Sequence, residues 1–320
     1  MLQEYGVVDG GLATELERAG ADLSGGLWSA RLLAEQPDLI RQVHTAYYEA
    51  GADVAITASY QASYPGFAAI GLDHKATNQL LRRSVELAAE ARAGARGHRT
   101  SDQPMWIAAS VGPYGATLHD GSEYHGDYGL TVAELTEFHA ERLAVLAGAG
   151  ADLLACETIP SRDEARALVV ALRRVPSARA WVSFTSRDDR HTAHGEPLAD
   201  CARELDSEPQ IVALGVNCVS PDRAASLIHE LRRGTAKPIV AYPNSGEIWD
   251  GQAQCWRGSA IAAPLSELAE GWIEAGATWL GGCCRTTPAD IGIIRQVIDR
   301  RAGGGTGGGT SVNTKGHREG

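Results

Sequence analysis

The sequence predicts a (βα)8 TIM barrel, an α/β fold in which eight parallel strands alternate with helices. Three observations carry that prediction. Eight short apolar runs recur along the chain with helically spaced segments between them. The phrase Ala50-Gly51-Ala52-Asp53 returns as Ala149-Gly150-Ala151-Asp152 and nearly again as Ala275-Gly276-Ala277-Thr278, each time directly before an apolar run. Polar residues able to do chemistry fall just after these runs, where a barrel places its site.

Taken in order, the strands are expected at 7–9, 54–57, 105–110, 153–157, 180–185, 212–217, 238–242 and 278–281. Runs such as Leu153-Leu154-Ala155-Cys156 are apolar on successive residues, which fits strands buried on both faces. Ahead of the second strand, Leu39, Ile40, Val43, Tyr47 and Ala50 keep helical spacing after Pro37, which suits a first helical turn. The glycines of the repeated phrase can close each helix in the left-handed conformation. Thr131 with Glu134 and Ser161 with Glu164 have capping-box spacing, and Ser220-Pro221 and Thr287-Pro288 place a cap before proline. Periodicity alone leaves an open doubly wound sheet as the alternative. Residues 1–302 are expected to form one barrel domain, and 303–320 a disordered Gly-rich tail.

Composition narrows the function. Of 320 residues, 44% are hydrophobic, and 29 Lys and Arg against 40 Asp and Glu give a net charge of -11 with no basic run. Nucleic acid and anionic membranes are therefore poor partners, and a small molecule is the better one. The N-terminus lacks the basic start and apolar core of a signal peptide, and no window reaches the roughly 18 apolar residues of a membrane span. We read the protein as cytoplasmic. Six cysteines are too few and too irregularly spaced for a disulfide scaffold, so metal binding or catalysis is the expected use of some. Nothing in the pattern fixes the oligomeric state.

Cys218 follows the sixth strand, and Cys283 and Cys284 follow the eighth on a Gly-Gly turn. One strand separates the two, so their tips can converge. Three soft thiolates favour zinc and leave its fourth position open for a substrate. The competing readings are small buried cysteines, a strained Cys283–Cys284 bond, or a closed structural site with Cys255 as fourth ligand. Cys156 and Cys201 are expected to pack in a strand and a helix. Other polar residues at strand tips are Asp9 before Gly10, Tyr60, Tyr114, Glu157 with Thr158, Asn217 and Asn244. His191 and His194 belong to a polar surface loop, whereas His119 and His125 lie in a loop over 115–129 long enough to cover a site.

Read together, Asp9-Gly10-Gly11-Leu12-Ala13-Thr14-Glu15, Thr57-Ala58-Ser59-Tyr60, Gly112-Pro113-Tyr114-Gly115, Glu157-Thr158-Ile159-Pro160, Gly215-Val216-Asn217-Cys218, Tyr242-Pro243-Asn244 and Gly281-Gly282-Cys283-Cys284 resemble the zinc-dependent homocysteine S-methyltransferases. The resemblance spans about Asp9 to Asp299 and implies a (βα)8 barrel holding Zn2+ through Cys218, Cys283 and Cys284. It implies homocysteine as acceptor, bound by Asp9, Gly10, Glu157 and Asn217, with the two carboxylates taking the substrate ammonium from rigid strand ends. No catalytic residue beyond the zinc site is implied. The donor is expected to be a cationic sulfonium, S-methylmethionine or S-adenosylmethionine, held by aromatic faces. Tyr60 and Tyr114 are the preferred faces among Tyr124, Trp28 and Trp249. Leu27-Trp28-Ser29-Ala30 favours this branch over a betaine-using one, and the chain has no room for folate and cobalamin domains. A zinc-dependent barrel hydrolase is the other enzymatic reading, although three thiolates leave such a site too negative to acidify water well. A zinc-stabilised binding protein is the reading outside catalysis.

Overall fold

The structure, a computed structural model, describes residues 4–23, 28–98, 105–250 and 255–304. Eight strands build the central sheet: β1 (Gly6–Val7), β2 (Val54–Ile56), β3 (Trp106–Val111), β4 (Leu153–Ile159), β5 (Ala180–Phe184), β6 (Ile211–Asn217), β7 (Ile239–Tyr242) and β10 (Trp279–Leu280). Between β7 and β10 a separate antiparallel hairpin pairs β8 (Ile248–Asp250) with β9 (Cys255–Arg257). The central order is β1-β10-β7-β6-β5-β4-β3-β2, and every neighbouring pair is parallel.

The two ends of that order meet. Val8 bridges Val54 in parallel, Asp53 N donates to Val7 O at 2.6 Å, and Asp9 N donates to Val54 O at 3.0 Å. The sheet is thus a closed barrel, which settles the alternative of an open sheet and leaves no central strand edge for another chain to pair with.

Two apolar layers explain the continuous runs in the sequence, since successive strand residues face opposite sides. Val8, Val54, Ala108, Ala155, Trp181, Ala213, Val240 and Trp279 cluster within the barrel. Val7, Ile107, Leu154, Val182, Leu214, Ile239 and Leu280 pack outward with helical residues such as Leu81, Leu143, Leu168, Leu227 and Ile294. Trp279 fills so much of the interior that a Cβ on Gly6 would lie 2.4 Å from its ring.

Helix boundaries follow local chemistry with two departures. Gly51, Gly150 and Gly276 have φ of 109°, 94° and 112°, the left-handed closure expected of the repeated phrase. Both arms of the Thr131–Glu134 capping box are present. Ser161 does cap Glu164 N, but the Glu164 carboxylate does not return the bond; its Oε1 accepts from Tyr114 N at 2.6 Å and meets the buried ring of His139 at 2.9 Å. Ser220 precedes a helix-opening proline, yet its hydroxyl bonds Asp222 Oδ1 rather than backbone. Cys156 and Cys201 are buried in β4 and in the helix Leu198–Asp206. The last helix runs over Pro288–Gly304, two residues into the glycine stretch, and the remaining tail lies outside the described residues. Among the described residues, no helix is long and apolar enough to cross a membrane.

Candidate active site

At the C-terminal ends of the strands lies a cavity of about 720 Å³. Asp9, Glu157, Cys218, Tyr242, Cys283 and Cys284 line it, together with Gly10, Tyr60 and two residues of the loop after β3, Glu123 and Tyr124. This volume suits one or two small molecules.

The three cysteines converge as their strands require. Cys218 follows β6 directly, in the left-handed region at φ 55°. Cys283 and Cys284 are fixed by the turn after β7: Cys283 N donates to Pro243 O at 2.8 Å and Cys284 N to Asn244 Oδ1 at 3.1 Å. Asn244 N in turn donates to Val219 O at 2.9 Å, so one asparagine ties both cysteine loops together. Behind them a Cβ on Gly282 would fall 2.2 Å from Thr286 Oγ1, whose hydroxyl donates to Cys283 O at 2.7 Å.

The sulfurs all lie within 4.8 Å of one another, and Cys218 Sγ is 3.7 Å from Cys284 Sγ. Tetrahedral bonds of about 2.3 Å to one metal would separate two sulfurs by roughly 3.8 Å, whereas a disulfide would need about 2.05 Å. All three thiols are free, including the adjacent Cys283 and Cys284. Hydrogen bonds with Cys283 and then Cys284 hold the Cys218 thiol well below its usual range, and the bond to Cys218 pushes Cys283 and Cys284 up. One thiolate thus forms readily and opposes the next two. A soft divalent cation would relieve that conflict, so the donor set fits a metal. Among the described residues this is the one cluster of metal-ligating side chains, and the Cys255 side chain lies outside them.

Two carboxylates stand beside the sulfurs. Asp9 is 1% exposed, and its Oδ2 accepts from Ile56 N at 2.8 Å, so it serves no helix as a cap. Glu157, at 7% exposed, accepts from Ser110 Oγ. Burial, opposed by the Ile56 bond and aided by Glu157, holds Asp9 well above the usual carboxylate range. Burial and then the Cys283 charge push Glu157 up to about 8. Two carboxyls pushed upward by burial suit a cationic partner that restores their charge.

The remaining expected residues are less uniform. Gly10 lines the cavity, and a Cβ there would fall 2.8 Å from the ring of Tyr47. Asn217 is fully buried and does not line the cavity. Its Oδ1 accepts from Thr158 N at 2.7 Å and Ser183 Oγ at 2.8 Å, while Nδ2 donates to Thr158 Oγ1 at 2.8 Å and points to Cys283 Sγ at 3.9 Å. Thr158, like Cys218, is left-handed, with φ 58°. Such a backbone costs a non-glycine residue roughly 1 kcal/mol or more, and Asn217 braces the strained tip at Thr158.

Tyr60 lines the cavity, but Tyr114 does not. The Tyr114 ring packs 5.3 Å from Tyr128 and 5.0 Å from Phe138, outside the site. Tyr124 occupies the cavity instead, its hydroxyl 3.6 Å from Cys218 Sγ, and Trp256 adds a further wall. The side chains of Trp28 and Trp249 lie outside the described residues. His191 and His194 pair with Asp188 and Glu196, away from the cavity.

Residues 6–298 match the family model for homocysteine S-methyltransferase. The chain belongs to the homocysteine S-methyltransferase family. The YbgG homocysteine S-methyltransferase of Bacillus subtilis is 51% identical over 288 residues, covering 89% of this chain and 91% of that one. A homocysteine S-methyltransferase of Escherichia coli is 48% identical over 294 residues, covering 92% and 95%. The crystal structure of the metallated homocysteine methyltransferase MmuM from Escherichia coli superposes with a TM-score of 0.83 at 46% identity, covering 92% of this chain and 96% of that one. Membership thus extends over the whole barrel. Within it, the sequence reading passed over Glu123, which no spacing marks, and Thr286, whose hydroxyl accepts from Gly11 N at 3.1 Å and so joins the first and last strand tips.

Proposed function

We propose that this enzyme transfers a methyl group from a cationic sulfonium, S-methylmethionine or S-adenosylmethionine, to homocysteine, with zinc held by Cys218, Cys283 and Cys284. One observation carries the reading: three convergent sulfurs share a cavity with two buried carboxylates of raised pKa. Bound there, zinc would supply the positive charge that favours homocysteine's thiolate over its thiol.

Asp9 and Glu157 take the homocysteine ammonium and, being fixed to β1 and β4, set where the substrate sulfur lies. That sulfur then forms a bond to the donor methyl as the donor's S–CH3 bond breaks, and the bonding pair returns to the donor sulfur, leaving a neutral thioether and methionine. A free thiol is only about 3% ionised at neutral pH, so ionisation accounts for about 2 kcal/mol, whereas alignment of the two substrates can contribute up to roughly 7 to 11 kcal/mol. The rigid tips therefore do most of the work. Tyr60 and Tyr124 offer aromatic faces to the donor cation. We place the protein in the reducing cytoplasm, where its thiols stay available to metal.

The direct test is methionine formation by zinc-loaded protein with each sulfonium and with betaine, alongside a chelated control. Turnover with a sulfonium that disappears on chelation is expected; turnover with betaine alone would move the enzyme to the other branch, and none with any donor would sink the proposal. A second expectation concerns Asn217→Ala, which removes the brace behind Thr158 and Cys283. Zinc affinity, read by chelator competition, should fall roughly 10- to 100-fold as for other groups that orient metal ligands. Unchanged affinity would show that the strand tips hold the sulfurs without it.

A further inference from the structure

Glu123 is a buried acid that the reaction as described does not use. It sits in the short helical turn Ser122–Tyr124 of the loop after β3, 6% exposed, and lines the cavity. Its own backbone N–H supports the carboxylate, yet Oε2 has no hydrogen-bond partner. The neighbouring charge that acts on it is that of Asp120, which is also negative, and burial pushes it up to about 7. The groups that feel its charge are the phenols of Tyr60, Tyr124 and Tyr128. The turn is held firmly: Asp120 Oδ1 accepts from Ser122 N at 2.9 Å, and a Cβ on Gly115 would lie 2.5 Å from Glu123 N.

The cavity therefore draws carboxylates from two places, Asp9 and Glu157 at strand tips and Glu123 in the loop after β3. Asp9 and Glu157 lie within the field of Cys283, while Glu123 shares the cavity wall with Tyr60 and with Tyr124, whose hydroxyl is 3.6 Å from Cys218 Sγ. Homocysteine brings an ammonium, and the donor brings a sulfonium besides its own amino-acid groups. An ammonium brings three N–H donors and asks for several acceptors, which Asp9 and Glu157 supply together. A sulfonium has no donor hydrogens and asks for one negative charge and polarisable faces, which is what Glu123, Tyr60 and Tyr124 offer.

We propose that Glu123 is the counter-charge for the sulfonium centre of the methyl donor and makes the enzyme select a cationic donor over its neutral thioether product. This rests on the proposed function. The sulfonium charge disappears on transfer, so the carboxylate attracts the donor and releases the spent product. Its removal should raise the donor KM more than it lowers kcat.

The test compares two ligands by calorimetry on zinc-loaded protein without homocysteine: S-methylmethionine and its carbon isostere, in which CH replaces the charged sulfur. The amino and carboxylate groups are the same in both, so the affinity ratio isolates the sulfonium. The wild type should prefer the sulfonium by roughly tenfold or more, Glu123→Gln should lose most of that preference, and Glu123→Asp should keep part of it. Zinc content and homocysteine affinity should not change. A full preference retained in Glu123→Gln, or equal weakening of both ligands, would overturn the proposal. Because binding needs no turnover, an enzyme that binds as expected but transfers nothing would sink the proposed function and leave Glu123 only as a reader of the sulfonium charge.

Discussion

Cys284→Ser is expected to strip the protein of zinc and to lower methyl transfer roughly a thousandfold or more. Serine at neutral pH is a hard, protonated ligand, and a site reduced to Cys218 and Cys283 falls below the three ligands that an open zinc site needs. Loss of substrate ionisation alone would cost about thirtyfold, from the thiolate fraction of a free thiol. The larger part comes from losing the fixed point that sets the acceptor sulfur against the donor methyl. Fold and chemistry can be separated in this variant. The Cys284 backbone keeps its bonds to Asn244 Oδ1 and Ser245 N, so the turn should persist. Metal analysis, thermal melting and initial rates on the same preparation decide the matter: full zinc content with full turnover would remove the three-cysteine assignment.

The barrel was legible in the sequence because burial on both faces writes itself as continuous apolarity. Leu153-Leu154-Ala155-Cys156 became β4, and even β1 and β10, with two ladder residues each, were visible because apolarity reports burial rather than ladder length. Closure was not legible. It depends on the contact of Val8 with Val54, a tertiary pairing that no local pattern encodes. The cysteines were legible for a topological reason, since β6 and β10 are separated in the sheet by β7 alone.

Of the two preferred aromatics, Tyr60 lines the cavity and Tyr114 does not, for an equally physical reason. Tyr114 is close to the end of β3 in sequence, but Pro113 leads into a tight turn over Tyr114–Thr117 and the ring packs on Phe138 rather than facing inward. The site takes Tyr124 and Glu123 from later in the same loop, where no periodicity or cap marks an inward position. Asn217, expected to meet the substrate, is a fully buried amide outside the cavity lining, with its oxygen and nitrogen both engaged by Thr158, Ser183 and Cys283.

Glu157→Gln should weaken homocysteine binding roughly 10- to 100-fold while leaving zinc in place, and it should change how binding depends on pH. A charge-assisted hydrogen bond is worth about 1.5 to 3 kcal/mol, and the amide keeps the shape but loses the charge. Burial and then the Cys283 charge push Glu157 up to about 8 when no metal is bound, and burial, the larger cause, persists when a cation neutralises Cys283. Glu157 is therefore held toward its protonated form, and an arriving ammonium favours its ionised form. Binding must expel the proton it carries, so affinity should rise with pH through the raised range of Glu157 and level off above it. The substrate thiol also sheds a proton, in wild type and variant alike, so the difference between them belongs to Glu157. Calorimetry in two buffers of different ionisation enthalpy should find up to one fewer proton released by Glu157→Gln at pH 7. Equal affinity and equal proton release would place the ammonium elsewhere, and with Asp9 as the sole carboxylate partner the acceptor would have to bind in a different orientation.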